Sequence, residues 1–175
     1  HGGAIGILIG LYFYSKKINK PYLWILDRIV VPVAIGGAFI RTGNLMNSEI
    51  YGQPTDLPWG FKFVRDYPIG TPIDNIPACH PTQIYEALFC VAVFVYLLYA
   101  YYKQNMAERR PGFMFGIFLI VIFGSRILIE FIKNHQVAFE DNMVLDMGQW
   151  LSIPFFVAGI YFVARSFFKT ENLRN

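Results

Sequence analysis

The sequence predicts an all-α polytopic membrane protein with about five transmembrane segments and one folded loop on the outer face of the membrane. Three observations predict it. Hydrophobic residues make up 55% of the chain and charged residues only 15%, against about 25% charged in an average soluble domain. Five apolar stretches can be drawn, and three of them are about long enough to cross a bilayer. Basic residues then alternate from loop to loop, as the positive-inside rule requires of a multi-pass chain.

The segments follow in order. Residues 2–14 (GGAIGILIGLYFY) are apolar but too short to span. The first residue is His rather than Met, so the chain reads as N-terminally incomplete, with this helix cut by the start of the sequence. Nothing there has the charged, apolar and small-residue layout of a cleavable signal peptide. Residues 22–40 (YLWILDRIVVPVAIGGAFI) form the second segment and carry Asp27, Arg28 and Pro32. Residues 82–102, 112–132 and 148–168 complete the set. Tyr12, Tyr14, Tyr22, Trp24, Tyr99, Tyr101, Tyr102 and Trp150 gather near segment ends, as interfacial aromatic belts do.

Loop charges set the orientation. Lys16, Lys17 and Lys20 follow the first segment, Lys103, Arg109 and Arg110 the third, and Arg165, Lys169 and Arg174 close the fifth. The loops 41–80 and 133–147 instead hold seven of the twelve acids. Positive residues mark the cytoplasmic side, so the C-terminus is expected inside and loop 41–80 outside. That loop is rich in Pro and Gly (Pro54, Pro58, Gly60, Pro68, Gly70, Pro72, Pro77) and reads as a folded extracytoplasmic head element with short strands. Residues 1–175 otherwise form a single integral membrane domain. A net charge of +3 is too small to argue for nucleic acid. Cys79 and Cys90 are too few for a disulfide framework and show no metal-ligand spacing.

The polar groups embedded in this apolar background are where function is expected. A charge at the centre of a membrane helix costs about 2.5–3.5 kcal/mol on insertion scales, so several together mark a lipid, ion or substrate site, or a packed structural network. The densest run is Ile40-Arg41-Thr42-Gly43-Asn44-Leu45-Met46-Asn47-Ser48-Glu49-Ile50-Tyr51-Gly52. His1-Gly2-Gly3 opens the chain with Gly6 and Gly10 behind it, a spacing that lets another helix or a lipid tail approach closely. A histidine there has a pKa suited to proton transfer, and a hydrogen-bonded packing role is equally open. Asp27 and Arg28 are adjacent, cannot share a helical face, and each needs its own partner; Asp27 is expected to brace another cation. His80-Pro81-Thr82-Gln83-Ile84-Tyr85-Glu86 begins the third span, with Gln83 and Glu86 on one face. Arg126 and Glu130 are four apart on the fourth and read either as an intrahelical ion pair or as part of a phosphate clamp, since guanidinium binds phosphate through parallel hydrogen bonds. Gln149 is a lesser candidate. Arginines, carboxylates and amides near the outer leaflet fit an anionic lipid headgroup. They do not fit a metal site, a serine-nucleophile elbow or a phosphate-binding loop.

These motifs, in this order, resemble the prolipoprotein diacylglyceryl transferase family of bacterial inner membranes. The resemblance rests on His1 to Gly6, Asp27 to Pro32, Arg41-x-Gly43-Asn44-x-x-Asn47-x-Glu49-x-x-Gly52, His80 to Glu86, Arg126-x-x-x-Glu130 and Gly148-Gln149-x-Leu151-Ser152, and spans roughly residues 1–155. Two departures are visible. Ile40 stands where the family usually has Gly, and Lys133-Asn134-His135-Gln136 stands where an Arg followed by Pro-Asp is common. The resemblance implies transfer of the diacylglyceryl group of phosphatidylglycerol to the lipobox cysteine thiol of a preprolipoprotein, with a thioether formed and glycerol phosphate released. It implies a multi-pass protein of the bacterial cytoplasmic (inner) membrane and no cofactor. It further implies Arg41 and Arg126 on the phosphate and His1 as the candidate base. Asn44, Asn47 and Glu49 would orient the headgroup within a binding set that includes Gly2, Gly3, Gly43, Gly52, Gln83, Glu86 and Glu130. Because the nucleophile belongs to the substrate, Cys79 and Cys90 need no role. Family members carry further N-terminal helices, so this chain by itself is expected to be inactive. The rival readings are a transporter or flippase for an anionic lipid or solute, supported by the Pro-broken second segment, and an assembly subunit whose polar groups only lock helices together.

Overall fold

A computed structural model describes residues 2–133 and 146–171. Each apolar stretch is helical, as it must be where no water is present to satisfy the backbone. The helices are α1 (Gly2–Lys17), α2 (Tyr22–Met46), α3 (Thr82–Tyr102), the single turn α4 (Met106–Arg109), α5 (Phe113–Glu130) and α6 (Met147–Glu171). Four of them, α2, α3, α5 and Met147–Phe168 within α6, are long and apolar enough to cross a membrane. At 16 residues α1 falls short of that length, so among the described residues four of the five expected segments meet it. The fold is that of an all-α polytopic membrane protein.

The second segment was expected to stop at Ile40, with the loop beginning at residue 41. Instead α2 continues through Met46. Hydropathy marks where lipid contact ends, whereas a helix ends only where its backbone bonds stop. Here nothing interrupts them: there is no Pro after Pro32, and Thr42 turns its hydroxyl back to the Ala38 carbonyl at 2.9 Å. Arg41 and Asn44 therefore stand on a rigid helix, and the loop begins at Asn47.

α2, α3 and α5 meet around Val30, Ala34, Val93, Leu97, Ala100 and Met114, all buried. α5 and α6 approach still more closely through paired glycines. A Cβ on Gly116 would stand 2.8 Å from the Gly159 carbonyl oxygen, and one on Gly159 would stand 2.9 Å from that of Gly116. Without a hydrophobic drive between helices in lipid, this backbone-to-backbone packing is what holds the pair. α1 lies at the margin, tied to α2 where the Tyr22 hydroxyl donates to the Leu8 carbonyl at 3.0 Å.

The end of the bundle opposite the long loop is fastened by Asp27. This residue was expected to brace a cation; its buried carboxylate instead accepts the backbone N–H groups of Gly112 (2.6 Å) and Phe115 (2.8 Å). These are orphan donors of the first turn of α5, where a negative charge also meets the positive end of the helix dipole. Gly112 has φ +92°, a conformation that glycine adopts without strain, and this presents its N–H to the carboxylate. Arg28 turns the other way, stacking on Trp24 at 3.5 Å and pairing with Glu108 of α4.

The loop between α2 and α3 is folded. Strands β1 (Phe61–Lys62) and β2 (Ala78–Cys79) pair antiparallel with Phe61 opposite Cys79, and Phe63 and Ile76 are buried beneath them. Tyr51 stacks on Phe63 at 4.3 Å. Asp27→Ala should leave two buried N–H groups unpaired, at about 1–3 kcal/mol each. The expected result is a clear fall in the thermal unfolding midpoint of detergent-solubilised protein; an unchanged midpoint would contradict the capping role.

Candidate functional site

Helical periodicity brings three charged side chains to one cavity of about 300 Å³ between α2, α3 and α5. On α2 the lining residues are Val33, Ala34, Gly37, Ile40 and Arg41; on α3 they are Glu86 and Cys90; on α5 they include Phe118, Ile122, Ser125 and Arg126. Each set follows the spacing of one helix face. α2 and α5 run in opposite senses from α3, so Arg41, Glu86 and Arg126 all fall at the loop end and the apolar residues lie deeper. From Val33 to Arg41 is eight helical steps, or about 12 Å. The cavity is thus a charged mouth on an apolar stem.

The mouth holds a network of buried charges. The Arg41 Nε lies 2.8 Å from Glu86 Oε2 but off the N–H direction, so the contact is an ion pair without a hydrogen bond, and Oε2 has no hydrogen-bond donor among the described residues. The other carboxylate oxygen, Oε1, accepts from Lys133 Nζ at 2.9 Å. Lys133 also lies 3.6 Å from Glu130 Oε2. Arg126 and Glu130, one helical turn apart, form no ion pair with each other. Arg126 Nε is buried without a partner among the described residues, so of the two readings open in the sequence the intrahelical ion pair is not formed. Glu130 Oε2 likewise has no hydrogen-bond donor among the described residues. α6 closes the far side of this group: a Cβ on Gly148 would stand 2.7 Å from the Glu130 carboxyl carbon, so a side chain there would displace the Glu130 carboxylate.

The remaining signature residues form the turn that leaves α2. Ser48 (φ 57°) and Ile50 (φ 59°) are both left-handed. For β-branched Ile50 this is a strained conformation that persists only where the surroundings enforce it. Two α3 side chains do so. The Gln83 amide donates to the Glu49 carbonyl at 2.6 Å, and the Thr82 hydroxyl donates to the Ile50 carbonyl at 3.0 Å. Beyond the turn, Gly52 N–H donates to the His80 carbonyl (2.8 Å), His80 N–H to the Gln53 carbonyl (3.0 Å) and Gln53 N–H to the Ile132 carbonyl (2.9 Å). Three chain segments are knotted here by their backbones. A Cβ on Gly52 would meet the Ile132 carbonyl oxygen at 2.6 Å and the His80 Cβ at 2.7 Å. Gly52 and Gln83, expected to bind substrate, are therefore occupied in building the site.

The structure thus brings Arg41, Glu86 and Arg126 together, with Glu130 adjoining. Asn44 is half-buried one turn beyond Arg41, and Asn47 and Glu49 are exposed; their side chains make no hydrogen bond to a described residue. A Cβ at Gly43 or Gly3 would meet nothing within 4 Å. Gly2 begins α1, and His1 lies outside the described residues. Lys133 is the residue that sequence reasoning missed: it read as an ordinary loop charge, and its i, i+3 spacing from Glu130 was the available signal. Burial pushes the Cys79 thiol above its ordinary range, which keeps it a neutral packing group. Burial and the charge of Asp66, which accepts from the Tyr51 hydroxyl, likewise keep Tyr51 a neutral phenol.

Comparison with known proteins agrees with these motifs. The model of the prolipoprotein diacylglyceryl transferase family matches residues 1–165. A Porphyromonas gingivalis protein named phosphatidylglycerol–prolipoprotein diacylglyceryl transferase is 48% identical over 172 residues, covering 95% of this chain and 61% of that protein. Proteins of the same name from Bacteroides fragilis and Tolumonas auensis are 44% and 42% identical, covering 93% and 91% of this chain and 56% and 58% of theirs. The chain therefore spans between 56% and 61% of the length of these three curated relatives.

Gly52→Ala should strain the knot by about 1–3 kcal/mol, as overpacking does. The thermal midpoint is expected to fall, while Gly36→Ala, where a Cβ meets nothing within 4 Å, should hold or raise it. Equal midpoints for the two variants would contradict the packing role of Gly52.

Proposed function

The chain belongs to the prolipoprotein diacylglyceryl transferase family, and from that premise we propose that it serves in transferring the diacylglyceryl group of phosphatidylglycerol to the lipobox cysteine of a preprolipoprotein. The observation that carries this reading is the pair of guanidinium groups, Arg41 and Arg126, at the charged mouth of an otherwise apolar cavity. An anionic phospholipid has the same division, with a phosphate on one end and hydrocarbon on the other. The buried Arg126 Nε, which has no hydrogen-bond partner among the described residues, is a donor suited to such an acceptor, since a buried polar group without one is costly.

In the reaction, the substrate thiolate sulfur attacks the glycerol carbon that bears the phosphate. A carbon–sulfur bond forms, the carbon–oxygen bond breaks, and its electron pair leaves on the phosphate oxygen of glycerol phosphate. Negative charge grows on that oxygen in the transition state, and prearranged cations in a water-poor site stabilise it far more than they would in water. Arg41 and Arg126 fill that role, with Glu86 fixing the direction of Arg41. A free cysteine has a pKa near 8.5, so a base assists; His1 is the candidate. Asn44, Asn47 and Glu49, at the end of α2, are assigned to the headgroup and the approaching peptide. The orientation follows from loop charge: the loop end of the bundle faces outward from the bacterial inner membrane, where a signal peptide presents its cysteine, and the C-terminus is cytoplasmic.

The test uses protein expressed from its complete reading frame, incubated with labelled phosphatidylglycerol and a lipobox peptide. A thioether-linked diacylglyceryl peptide is the expected product. Arg41→Ala and Arg126→Ala should each lower its rate by about 100-fold or more at undiminished protein level in the membrane. Absence of the product, or variants that lose abundance while each remaining molecule stays active, would overturn the assignment.

A further inference from the structure

Lys133 is buried to 3% side-chain exposure, and nothing in the reaction as described uses it. We propose that Lys133 is a positioning residue for Arg41: by occupying one oxygen of Glu86, it keeps the terminal edge of the Arg41 guanidinium free for an anionic headgroup. The inference rests on the transferase reading of this site and deepens it.

The geometry supplies the argument. An arginine and a carboxylate left alone in a low-dielectric site favour the bidentate arrangement, with two parallel hydrogen bonds from the guanidinium fork. In that arrangement the edge that would grip phosphate is spent on the carboxylate. Here Lys133 Nζ holds Glu86 Oε1 at 2.9 Å. Arg41 is left with Oε2 alone, through Nε and off the hydrogen-bond direction. Its two terminal amino groups make no hydrogen bond to a described residue, although the side chain is only 21% exposed.

Charge balance points the same way. Among the described residues, the charged groups facing one another here are Arg41 from α2, Glu86 from α3, Arg126 and Glu130 from α5, and Lys133 just beyond α5. Three positive and two negative groups leave one positive charge, which one phosphodiester anion neutralises.

Lys133 is also built into its place. Its carbonyl accepts from the Gln53 amide at 3.3 Å, its N–H donates to the Glu130 carbonyl at 3.2 Å, and its backbone pairs antiparallel with Gly52. The backbone knot at Gly52 and Ile132 therefore delivers the ammonium to Glu86.

The experiment measures kcat and KM for phosphatidylglycerol in vesicles of varied phosphatidylglycerol content, together with equilibrium binding of spin-labelled phosphatidylglycerol against phosphatidylcholine, on protein from the complete reading frame. Lys133→Met should raise KM and weaken phosphatidylglycerol binding about tenfold, the size of one charge-assisted hydrogen bond, with kcat changed less. Lys133→Arg, which still fills Oε1, should recover most of that loss. In a Glu86→Gln background, where there is no carboxylate for Arg41 to close upon, Lys133→Met should change KM by less than about threefold, as a cycle requires when one residue acts through the other. Wild-type KM and binding in Lys133→Met, or a loss that persists undiminished in the Glu86→Gln background, would overturn the proposal while leaving the transferase reading intact. A wild-type protein that binds phosphatidylglycerol but forms no thioether would instead sink the transferase reading, with the binding comparison still deciding the role of Lys133. Should Lys133→Met not be recovered from the membrane, the Glu86→Gln pair of variants still decides it.

Discussion

A single buried carboxylate organises this protein. Glu86 stands one turn into α3, takes Arg41 from α2 on one oxygen and Lys133 from the segment after α5 on the other, and so joins the loop ends of three chain segments. Carrying such a network into a low-dielectric interior brings little net stability, because desolvation consumes most of the Coulombic gain. Breaking it is another matter: removing one partner of a buried pair costs about 3–5 kcal/mol, since a bare charge is left behind. The arrangement therefore resists partial disassembly more than it adds stability, and that is the property a site needs if its cations must hold position while a charged lipid enters and leaves.

The helices carrying those cations are held at both ends. Asp27 fixes the beginning of α5 to α2 at one side of the bundle, and the backbone knot at Gly52, His80 and Ile132 fixes the other. Arg41 on α2 and Arg126 on α5 are thereby kept in fixed register across the cavity. Preorganisation of this kind is what lets electrostatic stabilisation act without reorganisation at the moment of reaction. The left-handed conformation of Ile50 fits the same picture, because strain is retained where surrounding contacts over-determine the backbone.

Much of this was legible in the sequence, and the parts that were not share a cause. Spans over α3, α5 and α6 followed from length and hydropathy, because lipid enforces helix wherever no water is present. The charged residues of the mouth were visible because polar groups in an apolar chain demand an explanation. What hydropathy could not show was where each polar group would turn. Asp27 looked like a counter-ion and proved to cap α5, because its partners are backbone N–H groups that carry no signature. Arg126 and Glu130 have ion-pair spacing yet form no ion pair, and Lys133, one turn on, lies 3.6 Å from Glu130. Gly52 packs against the Ile132 and His80 segments and the Gln83 amide holds the Glu49 carbonyl, contacts that a motif does not distinguish from binding. The end of α2 was placed early because apolarity stops at Ile40 while backbone hydrogen bonding continues through Met46.

We propose that Arg41 and Arg126 together hold the phosphate of an anionic phospholipid whose tails enter the apolar stem between α2 and α5. The most direct measurement is an experimental structure of the protein with phosphatidylglycerol bound. Phosphate oxygens are expected within hydrogen-bond distance, about 3 Å, of both guanidinium groups, with an acyl chain against Gly37 and Phe118. A bound lipid whose phosphate lies away from both arginines, each still engaged only by neighbouring helices, would contradict it.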